Sequence, residues 1–337
     1  MDRRSLLYGA LLLLLVLAGA ILLSGPLTGI EKVGPASIDG LPFSPADSNP
    51  LYPDIHGDLA VWEEHGIGSD TEIVVYAASK GTLTPVSEHA GQQFSPSIWE
   101  DRVVWQDKRN GNWDIFLCNL TTSEEIPICI DPSKQSHPVI SGDYVVWVDE
   151  RNGDPDIYLY DLRNRTERGL CVQPQTQYNP DIDGGVVVWE DYRRGYETAG
   201  DIYAHILSTD EERVICDDKR GQWCPAVSDG RIVWQDYRSG KGFDIYLYEL
   251  GTGEERIVCN ESSRQWLPKI RGDLVVWVDG RNLNWDIYAF NLTTATEYPI
   301  CTQPDDQAWP TLSSDAILWQ DYSGGRNTIR MAIPPGR

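Results

Sequence analysis

A chain of 337 residues with a formal net charge of −23 lacks the basic footprint that phosphate binding needs, which argues against nucleic acid as a partner. Hydrophobic residues make up 41% of it, as in a globular protein, but the aromatics are skewed, with 13 Trp and 16 Tyr against 5 Phe. The fold must therefore use Trp repeatedly.

Residues 1–23 stand apart. Arg3 and Arg4 form a basic start, and Leu6 to Leu23 carries no charge. At 1.5 Å per residue that run gives roughly 27 Å of helix, close to the ~30 Å hydrocarbon core of a bilayer. The segment reads as one N-terminal export helix, either retained as a transmembrane anchor or cleaved near Ala18-Gly19-Ala20. Everything beyond it is expected outside the cytoplasm, at the cell surface or secreted. Residues 24–38, rich in Gly and Pro, read as a linker, and 39–337 as one domain.

Within that domain a small-apolar pair followed by Trp, with an acid two residues on, recurs at Trp62, Trp105, Trp147, Trp189, Trp234, Trp277 and Trp319. The spacing of 42 to 45 residues suits a four-stranded propeller blade. In the third unit the strands are expected at Pro138–Ile140, Tyr144–Asp149, Asp156–Leu162 and a short run ending near Cys171, with Gly, Asn and Asp at the turns between them. Val145-Val146-Trp147-Val148 is apolar on both faces, so each sheet must be covered on both sides, as radial stacking of blades achieves. The seventh unit lacks its outer strand, and Asp39 to Ser44 resembles the outer strands Glu124–Cys129 and Thr296–Cys301. The expectation is all-β: a seven-bladed propeller of four-stranded antiparallel blades, closed by an N-terminal strand.

The acid after each Trp is followed by Arg in five units, giving the pairs Asp107 and Arg109, Asp149 and Arg151, Asp191 and Arg193, Asp236 and Arg238, and Asp279 and Arg281. A second acid opens the third strand at Asp114, Asp156, Asp201, Asp244 and Asp286. This Asp-Arg-Asp set reads as a loop clamp internal to each blade, since a guanidinium fork matches carboxylates. Ca²⁺ is the alternative where the Arg is missing, near Glu64 and Asp321. No other cofactor or metal is implied.

Cys129, Cys171, Cys216, Cys259 and Cys301 share one repeat position, with Ser44 and Ser87 in the remaining two. Equivalent places on neighbouring blades lie too far apart for a disulfide, so these read as buried thiols. His56, His65, His89, His137 and His205 share no repeat position and read as scattered loop residues. No nucleophile elbow of the form G-x-S-x-G is present, and no catalytic residue is assigned. Asn119, Asn164, Asn260 and Asn291 head N-x-[ST] sequons, acceptors for glycosylation outside the cell.

Six innermost strands open on a glutamine, followed by an aromatic within two residues in all but Gln135-Ser136, with Pro50-Leu51-Tyr52 in the first blade; the candidate ligand residues are Phe94, Tyr178, Gln222, Trp223, Gln265, Trp266, Gln307 and Trp309. Aromatic faces beside amides suit a sugar or a peptide. A residue type repeated in every blade equally suits packing, so both readings stand.

The motifs P-x-I-S-G-D, V-V-W-x-D-x-R and D-I-Y-x-Y-D-L resemble the WD40-like propeller repeats of the TolB type, especially their relatives in archaeal cell-surface proteins, over about residues 39–337. That resemblance implies extracytoplasmic scaffolding or protein interaction and brings no catalytic residues. The expected function is a non-catalytic, monomeric surface module, held to the membrane by its N-terminal helix and binding a protein or glycan at the propeller rim. The alternatives are a carbohydrate-active lyase or hydrolase, which would need acids or histidines that break the repeat and converge at one mouth of the channel, and a structural envelope component.

Overall fold

A computed structural model describes residues 31–32, 40–45, 48–65, 70–89, 91–195 and 200–335. The proposed export helix and most of the proposed linker lie outside the described residues, and no described helix is long and apolar enough to cross a membrane.

Seven four-stranded antiparallel sheets follow one another in chain order, each running from an innermost to an outermost strand. The third blade comprises Gln135–Ser141, Tyr144–Asp149, Asp156–Asp161 and Thr166–Cys171. Its innermost strand begins three residues earlier than the sequence suggested, because pairing to the second strand resumes on either side of a bulge at His137-Pro138. Proline cannot donate to a ladder, and the chain accommodates it by bulging rather than by ending the strand.

Every repeat Trp is fully buried. Trp147 packs on Val104, Ile115, Leu117 and Ile128 of the preceding blade as well as on its own Val145 and Tyr158. The core is thus a ring of seven interblade clusters, which explains why the second strands are apolar on both faces.

The seventh blade holds Gln307–Leu312, Ile317–Asp321 and Thr328–Ala332, and its fourth strand is Leu41–Pro42, antiparallel to the third. Phe43 donates its N–H to the Ile329 carbonyl at 2.7 Å and packs in the same cluster as Trp62 of the first blade. Ring closure by the N-terminal strand therefore joins the two ends of the domain. Glu31–Lys32, placed in the linker on sequence grounds, lies parallel to the outer strand of the sixth blade.

Candidate functional site

The loop clamp has a different third member from the one expected. In the third blade Arg151 pairs with Asp149 at 2.6 Å and with Glu167 on the outer strand at 2.6 Å, while its guanidinium lies 4.2 Å over the Tyr158 ring. Asp156 instead accepts from Asn152 at 2.8 Å. The same arrangement links Arg109 to Glu125, Arg193 to Glu212, Arg238 to Glu255 and Arg281 to Glu297, each Arg keeping its Asp. The repeat Trp joins in through its indole N–H, Trp147 donating to Asp149 at 2.9 Å. A further partner comes from the neighbouring blade: Arg151 donates to the Cys129 sulfur at 3.0 Å, and Arg193 to Cys171 at 3.1 Å. Ser87 takes the thiol's place beside Arg109. The cysteines are free and all but Cys224 are buried, and burial pushes the Cys129 thiol up to about 12. They act as polar contacts between blades as well as small apolar fillers.

At the two candidate Ca²⁺ places the acids have protein partners. Asp321 pairs with Arg330 at 2.7 Å, and Glu64 accepts from the Trp62 indole at 3.0 Å. Among the described residues no group of three His, Cys, Asp or Glu is placed to hold a metal ion.

The glutamines assigned to the rim are internal. Gln222, Gln265 and Gln307 are fully buried, and their amides donate to the carbonyls of Arg220, Ser263 and Asp305 in the preceding loops. Of the rim aromatics only Phe94 and Trp309 line the channel. Trp223 donates to the Tyr192 hydroxyl at 2.8 Å and meets Phe243 edge-on, Trp266 packs on Trp285, and Tyr178 packs on His137. In five blades the second residue of the innermost strand stays off the lumen, Leu51 and Phe94 being the exceptions, whereas the third residue lines it in all seven.

That next position is where the channel mouth is made. Tyr52, Ser95, His137, Asn179, Cys224, Leu267 and Trp309 each precede a proline and each hold φ between 49° and 53°. Side chains rarely adopt this left-handed conformation. In five blades it is braced from the preceding blade by the residue after the repeat Trp: Glu63 accepts from Ser95 N–H at 2.8 Å, Gln106 from His137, Glu190 from Cys224, Gln235 from Leu267 and Gln320 from Tyr52.

Behind this ring lies a cavity of about 710 Å³. Its rim carries Tyr52 and Trp309, 41% and 36% exposed, with their rings in edge contact at 4.7 Å. Glu63, His65 and His137 line the same space. Burial holds the Glu63 carboxyl up at about 7, against the Ser95 N–H that favours its ionised form, and Glu63 meets His65 Nε2 at 3.2 Å. Burial also brings His137 down to about 4, leaving a neutral ring that bonds the Tyr178 hydroxyl at 3.1 Å. His56 lines the opposite end of the channel. Three of the five histidines are therefore lumen residues, not scattered ones. The repeat offered no direct signal for them, since each stands in a column that changes from blade to blade: His65 with Lys108 and Glu150, His56 with Asp183 and Arg271, His137 with Asn179 and Leu267.

The opposite mouth is narrow, with a cavity of about 180 Å³. Arg271 of the sixth blade reaches across it to pair with Asp183 of the fourth at 3.1 Å, and its guanidinium lies 5.1 Å from the Trp99 ring of the second. The lumen is thus a cup with one wide end. Of the sequons, Asn164 and Asn260 are exposed, whereas Asn119 and Asn291 are half-buried with their Oδ1 atoms accepting from the turn N–H groups that follow.

No family model and no curated protein matches the chain in sequence. Solved structures do match in fold. The β-propeller domain of the Trilobed protease from Pyrococcus furiosus is 12% identical with a TM-score of 0.68, over 84% of this chain and 92% of that one. An oligogalacturonate lyase in complex with manganese is 15% identical with a TM-score of 0.65, over 88% and 93%. TolB from Acinetobacter baumannii is 15% identical with a TM-score of 0.51, over 76% and 67%. The chain spans about half the length, 51%, of an acylaminoacyl peptidase from Pyrococcus horikoshii that it also matches. Identities this low establish the propeller fold alone.

Proposed function

We propose that the chain is a non-catalytic binding module of the cell surface, exported and anchored by residues 1–23, whose open channel mouth receives a protein or glycan partner. The observation that carries this reading is the asymmetric lumen: a cavity of ligand size rimmed by exposed Tyr52 and Trp309 and narrowed at its far end, where Arg271 pairs with Asp183. Aromatic anchors at a concave, preformed surface are what dominates interface energetics. The TolB-type repeat and kinship with archaeal surface propellers belong to the same proposal, as do a monomeric ring and use of the exposed sequons Asn164 and Asn260.

The test is the double variant Tyr52→Ala with Trp309→Ala, assayed by capture from envelope extract and by thermal melting. Capture should fall strongly while melting stays nearly unchanged, because both rings are substantially exposed. Undiminished capture would end this reading. The carbohydrate-active alternative has one observation on its side, the convergence of Glu63, His65 and His137 on one mouth. Release of product from acidic or neutral polysaccharides by the intact chain, abolished in Glu63→Gln, would replace the binding reading with that one.

A further inference from the structure

The fifth residue of the innermost strand forms the waist at which the two cavities meet in six of the blades. Three of these place Ser97, Val139 or Thr311 there and the other three Asp54, Asp181 and Lys269, while in the fifth blade Ala226 is buried off the lumen. Packing does not ask for charge at this level, since Val139 fills it in its own blade. Both carboxylates are held rigidly. Asp54 accepts from Ile55 N–H at 2.9 Å, from Ile98 N–H of the next blade at 2.9 Å and from the Thr311 hydroxyl at 3.1 Å. Asp181 accepts from Val227 N–H at 2.9 Å. Lys269 is exposed into the lumen and makes no ion pair or hydrogen bond among the described residues. One ring further on, Arg271 is already matched by Asp183, whereas at the waist burial raises the Asp181 carboxyl and Lys269, beyond ion-pair distance, draws it back down.

The backbone of the wall above the waist has little to offer a ligand. Its seven prolines lack N–H groups, and the left-handed N–H groups of five blades are already bonded to the preceding blade. A simple anion drawn to Lys269 would meet two carboxylates, and a simple cation drawn to the carboxylates would meet Lys269. A neutral ligand would strip water from all three charges and replace it with nothing. Only a molecule carrying both signs gives each charge a counterpart.

We propose that the base of the cup is a binding site for a small zwitterion of the α-amino-acid type. Its ammonium group lies toward Asp54 and Asp181, its carboxylate toward Lys269, and its side chain points up to the aromatic mouth at Tyr52, Phe94 and Trp309. The inference rests on the reading of the open mouth as the working face.

Three probes with one apolar body test it by titration calorimetry on the full chain: phenylalanine, phenethylamine, which lacks the carboxylate, and 3-phenylpropionate, which lacks the ammonium. Phenylalanine should bind at least about tenfold more tightly than either, the margin that one matched charge provides. Lys269→Gln should erase the advantage over phenethylamine, and Asp181→Asn, which keeps an acceptor for Val227 N–H, should erase the advantage over 3-phenylpropionate. Thermal melting of both variants checks that the ring is intact. Equal binding of a singly charged probe, or no binding of phenylalanine at millimolar concentration, overturns the proposal. If partner capture still depends on Tyr52 and Trp309 in that event, the binding reading of the mouth survives without it.

Discussion

Trp147, Asp149 and Arg151 have counterparts at the same spacing in four other blades, whereas the residue two beyond the strand-opening glutamine is Tyr, Ser, His, Asn, Cys, Leu or Trp, different in every blade. The backbone treats the two columns alike: the Trp column is buried throughout, and the variable column holds the same left-handed φ throughout. Identity is fixed where a side chain must fit between two blades. It is released where the side chain meets only the lumen. The wall therefore carries the fold, and the lumen is free to carry recognition.

The largest effect should come from the wall. Trp147→Ala leaves a cavity shared by two blades and should cost about 3–5 kcal/mol, read as a shift in denaturant midpoint. A variant as stable as the parent would place Trp147 outside the core. Arg151→Ala should follow at about 3 kcal/mol, because it strands the fully buried Asp149 carboxylate with the Trp147 indole, a backbone N–H and the weak Cys129 thiol donor, and no cation. By contrast Arg163→Ala, which removes an exposed pair with Asp143, should leave the melting temperature where it was. If both arginine variants behave alike, the clamp is surface decoration and the distinction between wall and exterior fails.

Much of the wall was legible in the sequence, since the Trp spacing, the doubly apolar second strands and the missing outer strand of the last unit each follow from a packing requirement. The Asp-Arg pairing was legible too, but its third member was not. Glu167 lies 16 residues from Arg151, on a strand whose register is offset by a bulge beside Cys171, so spacing alone favoured the nearer Asp156. The lumen was harder still. The residue before the proline, at the bulge, meets the lumen, while Trp223 and Trp266 one position earlier pack on Phe243 and Trp285. The cue was present in the contrast between a glutamine in six blades, a proline in all seven and seven different residues just before that proline, but a column that varies gives no spacing to count.

A pH-dependent effect lies on the boundary between wall and lumen. Glu63 occupies the brace position that Gln106, Gln235 and Gln320 fill elsewhere, and it is buried, with its carboxyl held near 7 against an ordinary value of 4.5. Between those values the folded chain keeps a proton that the unfolded chain has released. Raising the pH through this window therefore costs stability, and the loss is complete above about 7. Glu63→Gln retains the acceptor for Ser95 N–H and removes the cost of ionisation. It should match the parent at pH 4 and exceed it by about 3 kcal/mol at pH 8, the order of free energy that separates a carboxyl titrating near 7 from one at 4.5. Denaturant midpoints of the two proteins, compared at each pH, cancel every other titrating group that they share. A difference that is constant across pH, or that grows in acid, would show that Glu63 is not held protonated by burial and that the brace is indifferent to charge. A difference that opens only as the pH rises would mean that the first blade gives up stability to keep a carboxyl at the mouth, where three other blades have an amide.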